Sequence, residues 1–257
     1  MLTEDSKIIR NVNLKKNYFQ IDFSSSQISC QVKPGQFVNI QIPGLIDSIF
    51  RRPFSVYKIE GEVLSIIYKV VGKGTDLLSK AIKGTVCNLL GPLGTSYTLP
   101  ARDEFPIIAV GGYGSAATYI LAQKSSVKGI VLVGAKTADD ILLAEEYEKL
   151  GFEVVVATDD GSRGYKGMVT ELLEKYTTIP NAVFYGCGPN VMMYSMARTF
   201  RGRDGIRAEL SLDHPMCCGV GACFACVVKV RDATQNTWHY ARSCKEGPVF
   251  RQEDLFI

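Results

Sequence analysis

The sequence predicts a β-barrel plus α/β fold. An antiparallel barrel is expected over residues 1–101, a parallel-sheet α/β domain over 102–205, and a small cysteine-rich segment over 206–257. Three observations carry this. Short alternating or β-branched runs separated by turn residues fill the first part of the chain. From about residue 104, strand-like and helix-like stretches alternate. Four cysteines in a distinctive spacing close the sequence.

In the barrel, residues 19–23, 37–42, 54–57 and 63–68 read as strands. Pro34-Gly35, Pro43-Gly44 and Glu60-Gly61 punctuate them. Only 75–81 looks helical, with Leu77, Leu78 and Ala81 at helical spacing. Within this region stands Arg51-Arg52-Pro53-Phe54-Ser55. The planar fork of Arg52 suits a pyrophosphate, Pro53 suits an edge or bulge, and Ser55 offers a hydroxyl to a polar ring atom. Further on, Gly72-Lys73-Gly74-Thr75 precedes the short helix, where free N–H groups and a threonine hydroxyl can meet an anion. Taken singly, an Arg-Arg pair is as well explained by solvent, and Gly-x-Gly-Thr by a capped turn. Their order within one barrel gives them weight.

Turn residues cluster at Gly91-Pro92-Leu93-Gly94 and Leu99-Pro100, marking a boundary. Beyond it, 105–110 is a buried strand, followed by Gly111-Gly112-Tyr113-Gly114 and an apolar helix through Leu121. Next come a strand at 129–133, a helix over 138–150 with Ile141, Leu142 and Leu150 on its apolar side, and a strand at 152–156. A turn at 158–161, a helix over 168–176, a strand at 182–185 and a helix from 190 to about 200 complete the pattern of a parallel sheet with helices on both faces. Gly112-x-Gly114-x-x-Ala117 fits the dinucleotide turn between strand and helix. The acidic ribose partner expected about 20 residues later is replaced by Gly134-Ala135-Lys136, so this turn offers a diphosphate its backbone N–H groups. Gly186-Cys187-Gly188-Pro189 lies at another strand-to-helix turn. Cys187 can face a nicotinamide there, or be a small buried cysteine in a tight turn.

The cysteines read Cys218-Gly219-Val220-Gly221-Ala222-Cys223-Phe224-Ala225-Cys226, then seventeen residues, then Cys244. C-x4-C-x2-C…C is the plant-type [2Fe–2S] spacing. Two irons need four thiolates arriving from several sides. The loop must therefore turn tightly, which Gly219 and Gly221 permit, and aim N–H groups at the sulfides. Zinc also takes C-x2-C, although structural zinc sites pair two short knuckles. A disulfide framework fits less well, since Cys30, Cys87 and Cys187 are scattered. Cys217 does not keep the four-residue gap and reads as a bystander. His214 could serve a Rieske-type site, but four spaced cysteines leave it no place. His214 and His239 do not suggest a triad.

Composition bounds the function. The 257 residues are 46% hydrophobic and 21% charged, with formal net charge +3. That is enough for a core and too little charge to argue for nucleic acid. No apolar run reaches ~18 residues, so no membrane-spanning helix is expected. The opening stretch is polar, so no secretory leader is expected. Reduced thiols point to the cytoplasm.

With Arg-Pro-Phe-Ser, Gly-x-Gly-Thr, Gly-Cys-Gly-Pro and the cysteine loop in this order, the chain resembles the ferredoxin–NADP reductase superfamily along nearly its whole length. Within it, the residues 218–226 and 244–250 look like those of the electron-transfer subunits of dihydroorotate dehydrogenase B. That resemblance implies FAD held by Arg52, Pro53, Phe54, Ser55, Tyr68, Lys69, Val70, Gly74 and Thr75. It implies NAD near Gly112, Gly114, Asp160 and Cys187, and a [2Fe–2S] cluster on Cys218, Cys223, Cys226 and Cys244. It also implies a partner, an FMN-containing catalytic subunit that oxidises dihydroorotate in pyrimidine biosynthesis, in a heterotetramer of two of each, with no nucleic acid and no membrane. Ala117 stands where that family usually has proline, and Tyr113 is bulky for a dinucleotide turn. Alternatives are the small subunit of an NADH-dependent ferredoxin–NADP reductase or sulfide dehydrogenase, where aspartate is often the first cluster ligand, a stand-alone reductase, or, in another class, a zinc-stabilised binding module.

Overall fold

The computed structural model describes residues 1–46, 50–203, 205–232 and 237–257. Seven antiparallel strands make the first sheet: β1 (Leu2–Lys15), β2 (Tyr18–Ser24), β3 (Phe37–Gln41), β4 (Arg52–Ser55), β5 (Lys58–Glu60), β6 (Val63–Lys69) and β7 (Val86–Leu93). Their spatial order is β4-β3-β7-β1-β2-β6-β5. The outermost strands, β4 and β5, are consecutive in the chain with only Val56 and Tyr57 between them. Val56 N–H donates to the Gln36 carbonyl at 3.1 Å and Tyr57 N–H to the Ser65 carbonyl at 2.9 Å. One corner thus joins both edges, and the sheet curls into the expected barrel. Ile8, Ile21, Phe23, Val38, Ile40, Leu64 and Ile66 fill it. Two short helices belong to this half, α1 (Ser26–Ser29) and α2 (Lys73–Ser79).

Three barrel strands have no sequence signal: the three-residue β5, and β1 and β7. In β1 the buried face carries Glu4 and Ser6 besides Ile8, so no apolar alternation shows. Glu4 accepts hydrogen bonds from Ser25 Oγ at 2.6 Å and from the N–H groups of Gln27 and Ile28 at 3.1 and 3.0 Å, anchoring α1. Strand β7 runs through Gly91-Pro92, which reads as a boundary turn. Opposite it the β3 pairing steps from Phe37↔Leu93 to Asn39↔Leu90. The extra residue makes a bulge, where proline's missing donor is tolerated.

The second sheet contains β8 (Phe105–Gly111), β9 (Ile130–Ala135), β10 (Glu153–Thr158), β11 (Tyr165–Lys166), β12 (Ala182–Cys187), β13 (Arg207–Ser211) and β16 (Val249–Arg251). Its order is β11-β10-β9-β8-β12-β13-β16, and only β16 runs antiparallel. Helix α3 (Gly114–Lys124) and helix α4 (Ala144–Lys149) cover one face, with Ile108, Val110, Val131 and Val133 beneath them. Helix α5 (Asn190–Phe200) covers the other, over Ile107, Ala109 and Leu132. Burial on both faces is why these strands are apolar throughout. Strands β13 and β16, both beyond residue 205, complete this sheet. Between them the hairpin β14 (Val227–Asp232) and β15 (Thr237–Arg242) packs Val228, Val230 and Ala241 against the α5 side.

Two expected helices take another form. Over 138–150 the chain makes a 3-10 turn at Ala138–Asp140, breaks at Leu143 with φ +61°, and only then forms α4. Thr137 Oγ1 donates to Asp140 at 3.0 Å, a local bond that competes with helix propagation. Ile141 and Leu142, adjacent in sequence, are both buried, which a single helical face does not allow. Over 168–176 two 3-10 turns, Val169–Leu172 and Glu174–Tyr176, replace a helix. Val169 with Leu172, and Leu173 with Tyr176, are spaced by three, a period that α and 3-10 helices share over one turn.

Candidate functional site

The site grows from the seam between the two sheets. Strands β8 and β12 are neighbours, and from them the strand order runs outward in opposite directions. Such switch points leave a crevice at the carboxyl ends of the strands. The turns after β8 and β12 meet there. A Cβ on Gly114 would overlap the Cys187 carbonyl oxygen, so only glycine permits this approach. The chain that links barrel to sheet is pinned nearby. Tyr97 Oη donates to the Gly186 carbonyl at 2.8 Å, and Thr98 N–H donates to Glu209 at 2.8 Å.

A cleft of about 290 Å³ opens between the barrel and this crevice. It gathers Arg52, Pro53, Phe54, Ser55, Tyr68, Lys69, Thr75, Gly114 and Cys187 from the sequence-derived set. Strand β4 holds the first four on the barrel rim. Tyr68 is fixed by its hydrogen bond to Asn11 Oδ1 at 3.2 Å and by Phe19 and Phe54 at centroid distances of 5.7 and 5.8 Å. The Thr75 hydroxyl receives the N–H groups of Val71 and Gly72 at 2.9 and 3.2 Å, so it serves the turn before α2. Gly74 lies beside Arg52, 3.4 Å from a Cβ to Arg52 Nε. Val70 sits behind the rim, paired with Asn17. Cys187 is buried, and burial pushes its thiol up to about 12.

A second cavity of about 620 Å³ adjoins the first and is lined by Gly112, Lys136, Asp140, Asp159, Thr170 and Met192 among others. Tyr113 and Lys69 line both, and so stand between them. Tyr113 Oη donates to Asp213 at 2.8 Å, and burial with that carboxylate raises its pKa above the ordinary value. Asp160 is outside this lining. It accepts from the Ser162 hydroxyl and N–H at 2.6 and 2.9 Å, which holds its carboxyl below its ordinary value.

The cysteine loop lies on the far side of Phe37. Gly219, Gly221 and Phe224 have φ of +70°, +83° and +56°, which coils the chain through the four-residue gap. Ala222 N–H donates to Cys218 Sγ at 3.3 Å, and Cys244 N–H to Cys226 Sγ at 3.4 Å. Burial raises the Cys218 thiol, but N–H groups of Val220, Cys223 and Ala222 together with the Cys223 thiol outweigh it and bring it to about 6. Burial and the neighbouring Cys226 push Cys244 up to about 12. Cys226 and Cys244 pack against Phe37 and Leu93. Among the described residues no three metal-binding side chains stand close enough to ligate one metal ion. The donor set nevertheless fits an iron–sulfur group: three free thiols on a coiled loop and a fourth, Cys244, just after β15, with backbone N–H groups facing sulfur.

Sequence reasoning did not find Phe37, Ser211, Leu212, Asp213, Met216 and Pro248 in the cleft wall. The last five come from the C-terminal segment, and no local pattern announces a side chain that arrives from a hundred residues away.

Comparison with known proteins follows the same division. The family model for the iron-sulfur cluster binding domain of dihydroorotate dehydrogenase B matches residues 213–256. The dihydroorotate dehydrogenase B (NAD(+)) electron transfer subunit of Desulforamulus reducens is 36% identical over 252 residues, covering 96% of this chain and 95% of that protein. The corresponding subunit of Fusobacterium nucleatum is 34% identical with full coverage of both. The chain belongs to the electron transfer subunits of dihydroorotate dehydrogenase B. Among solved structures, an NADH-dependent reduced ferredoxin-NADP oxidoreductase, described for flavin-based electron bifurcation, superposes with a TM-score of 0.83 at 27% identity, over 98% of this chain and 89% of that one. A ferredoxin NADP+ reductase from Neisseria gonorrhoeae shares the fold, with a TM-score of 0.65 at 17% identity over 81% and 98%. In this electron transfer subunit the expected barrel and parallel sheet are therefore those of ferredoxin–NADP reductases, with the iron-sulfur binding domain added at the C-terminal end. No helix among the described residues is long and apolar enough to cross a membrane.

Proposed function

We propose that this chain carries electrons from a partner FMN subunit, which oxidises dihydroorotate in pyrimidine biosynthesis, to NAD+. The observation that carries the reading is the sequence of three adjoining places: a cysteine loop, a cleft on the barrel rim, and a second cavity at the sheet's switch point. Phe37 touches the first two, and Tyr113 and Lys69 touch the last two. FAD in the cleft supplies the conversion between one-electron and two-electron transfer that a [2Fe–2S] cluster and a nicotinamide require of each other.

The chain's own residues bind and orient. Arg52, with Gly74 beside it, offers its guanidinium to a pyrophosphate on the rim of β4. Pro53, Phe54, Ser55, Tyr68, Lys69 and Val70 form or back the wall for the flavin ring, and Thr75 holds the turn at its end. Gly112 brings backbone to the dinucleotide in the second cavity, Gly114 and Cys187 reach it from the adjoining cleft, and Asp160 lies outside the cavity's lining. Cys218, Cys223, Cys226 and Cys244 hold the cluster. Of these, Cys226 and Cys244 are buried against Phe37, the side chain that also lines the cleft. The complex is a heterotetramer of two chains of each kind, working in the cytoplasm.

Anaerobic purification followed by a visible spectrum and flavin, iron, sulfide and zinc analysis tests this. One FAD, two irons and two labile sulfides per chain are expected. The isolated chain should reduce dyes with NADH yet leave dihydroorotate unoxidised. Stoichiometric zinc in a colourless protein, or efficient dihydroorotate oxidation by the chain alone, would refute it.

A further inference from the structure

Strand β3 presents two faces to two different environments. Val38 and Ile40 point into the barrel and are wholly buried in its core. Phe37 and Asn39 alternate with them. On a bare barrel that face would meet water. Here Phe37 and Asn39 are 3% and 0% exposed, because the cysteine segment covers them. Phe37 packs against Cys226 and Cys244. Asn39 Nδ2 donates to the Cys218 carbonyl oxygen at 3.3 Å.

The carboxamide is only half satisfied. Asn39 Oδ1 is buried with no hydrogen-bond partner, a desolvation cost that an apolar residue of similar size would avoid. A cluster-loop residue is also shaped around it, since a Cβ on Gly219 would overlap Asn39 Nδ2. On its other side Asn39 pairs with Pro53 in the β3–β4 ladder. One buried amide therefore stands between the strand that forms the flavin rim and the first cysteine of the loop.

We propose that Asn39 is a positioning residue for electron transfer between cluster and flavin, resting on the iron–sulfur reading above. It fixes the Cys218 turn at a set distance from β4, and its N–H dipole beside the Cys218 peptide favours the reduced, more negative cluster. The step it serves moves one electron and makes or breaks no bond. Dihydroorotate is the ultimate reductant and NAD+ the ultimate oxidant. Tertiary contact, not the cysteine spacing, thus sets part of the cluster's electron affinity.

The test uses the full-length protein, purified without oxygen, as wild type, Asn39→Leu and Asn39→Ser. FAD, iron and sulfide content are measured first. The reduced cluster is then examined by electron paramagnetic resonance and by redox titration. Asn39→Leu should keep FAD and cluster, alter the resonance g-values, and move the electron equilibrium from cluster toward FAD by up to about tenfold, or about 59 mV for a one-electron couple. Asn39→Ser, smaller and polar, should move it the same way by less. In wild type labelled with 15N-asparagine, pulsed resonance should reveal a nitrogen weakly coupled to the cluster, a readout that needs no variant. A loaded wild type without that coupling, or loaded variants with unchanged g-values and potential, would overturn the role of Asn39 alone. A wild type lacking iron and sulfide would instead remove the cluster reading and this proposal with it.

Discussion

The cleft on the barrel rim and the cysteine loop share Phe37 as a wall, yet they are held by different means. The cleft is bounded by paired strands whose register and apolar core fix its shape. The loop is held by three left-handed residues and by a few side chains, Asn39 on one side and Arg242 on the other. Arg242 Nη1 donates to the Gly221 carbonyl at 2.8 Å, while its guanidinium is paired with Glu246. A site made of core strands folds with the core. On the proposed function, a loop of converging thiols would gain further order from a bound metal, because ligand binding there is also folding. Perturbing each region should therefore give separable effects.

The largest separation is expected from Cys226→Ser. Removing a buried thiol of the loop should abolish iron and sulfide and lower dihydroorotate-to-NAD+ transfer on the order of 100-fold or more, while FAD and NADH–dye reduction persist. Parallel metal analysis and the two assays check this. Loss of FAD together with iron would show that the two sites do not fold separately. Next comes Gly114→Val, which places a side chain against the Cys187 carbonyl. Overpacking backbone costs about 1–3 kcal/mol, so NADH binding should weaken about tenfold while cluster absorbance stays the same. An unchanged dissociation constant, measured by flavin quenching, would argue that the two glycine turns do not bound the nicotinamide cavity.

The smallest effect is expected in the barrel itself. Glu4→Gln weakens the anchor of α1 and should lower stability by about 1 kcal/mol at neutral pH, with no change in either redox site. Burial raises the Glu4 pKa, but hydrogen bonds from Ser25, Gln27 and Ile28 outweigh it and hold it below the ordinary value. A carboxylate depressed in this way contributes stability above its unfolded pKa and loses it as pH falls through the folded one. The gap in thermal midpoint between wild type and variant should thus narrow on acidification. A gap that stays constant to low pH would show that Glu4 acts through packing rather than charge.

Much of the fold is legible in the order of residues alone. Strands β2, β3, β4, β6 and the parallel strands β8, β9, β10 and β12 follow from period-two or continuous apolar runs. Among the strands that escape, β1 has a polar buried face and β7 carries a proline bulge, while β5, β11 and β16 are only two or three residues long and β13 is interrupted by Glu209. The two expected helices that take another form do so for a related reason. Over a single turn, spacing by three does not distinguish α from 3-10 geometry, and Ile141 beside Leu142 belongs to no single face.

What the linear order of residues determined is local: which stretches extend, where backbone turns, and how many thiols one tight loop can present. Spacing constrains only the few bonds between neighbours, and that suffices for C-x4-C-x2-C and for the glycine turns. Tertiary structure alone decided that Asp213 and Met216 would wall a cleft begun at Arg52, that Tyr113 would stand between two cavities, and that Asn39 would meet Cys218 across 179 positions. Those meetings arise when the covered face of one strand must be buried against whatever segment excludes water from it, and no pattern within either segment encodes the other.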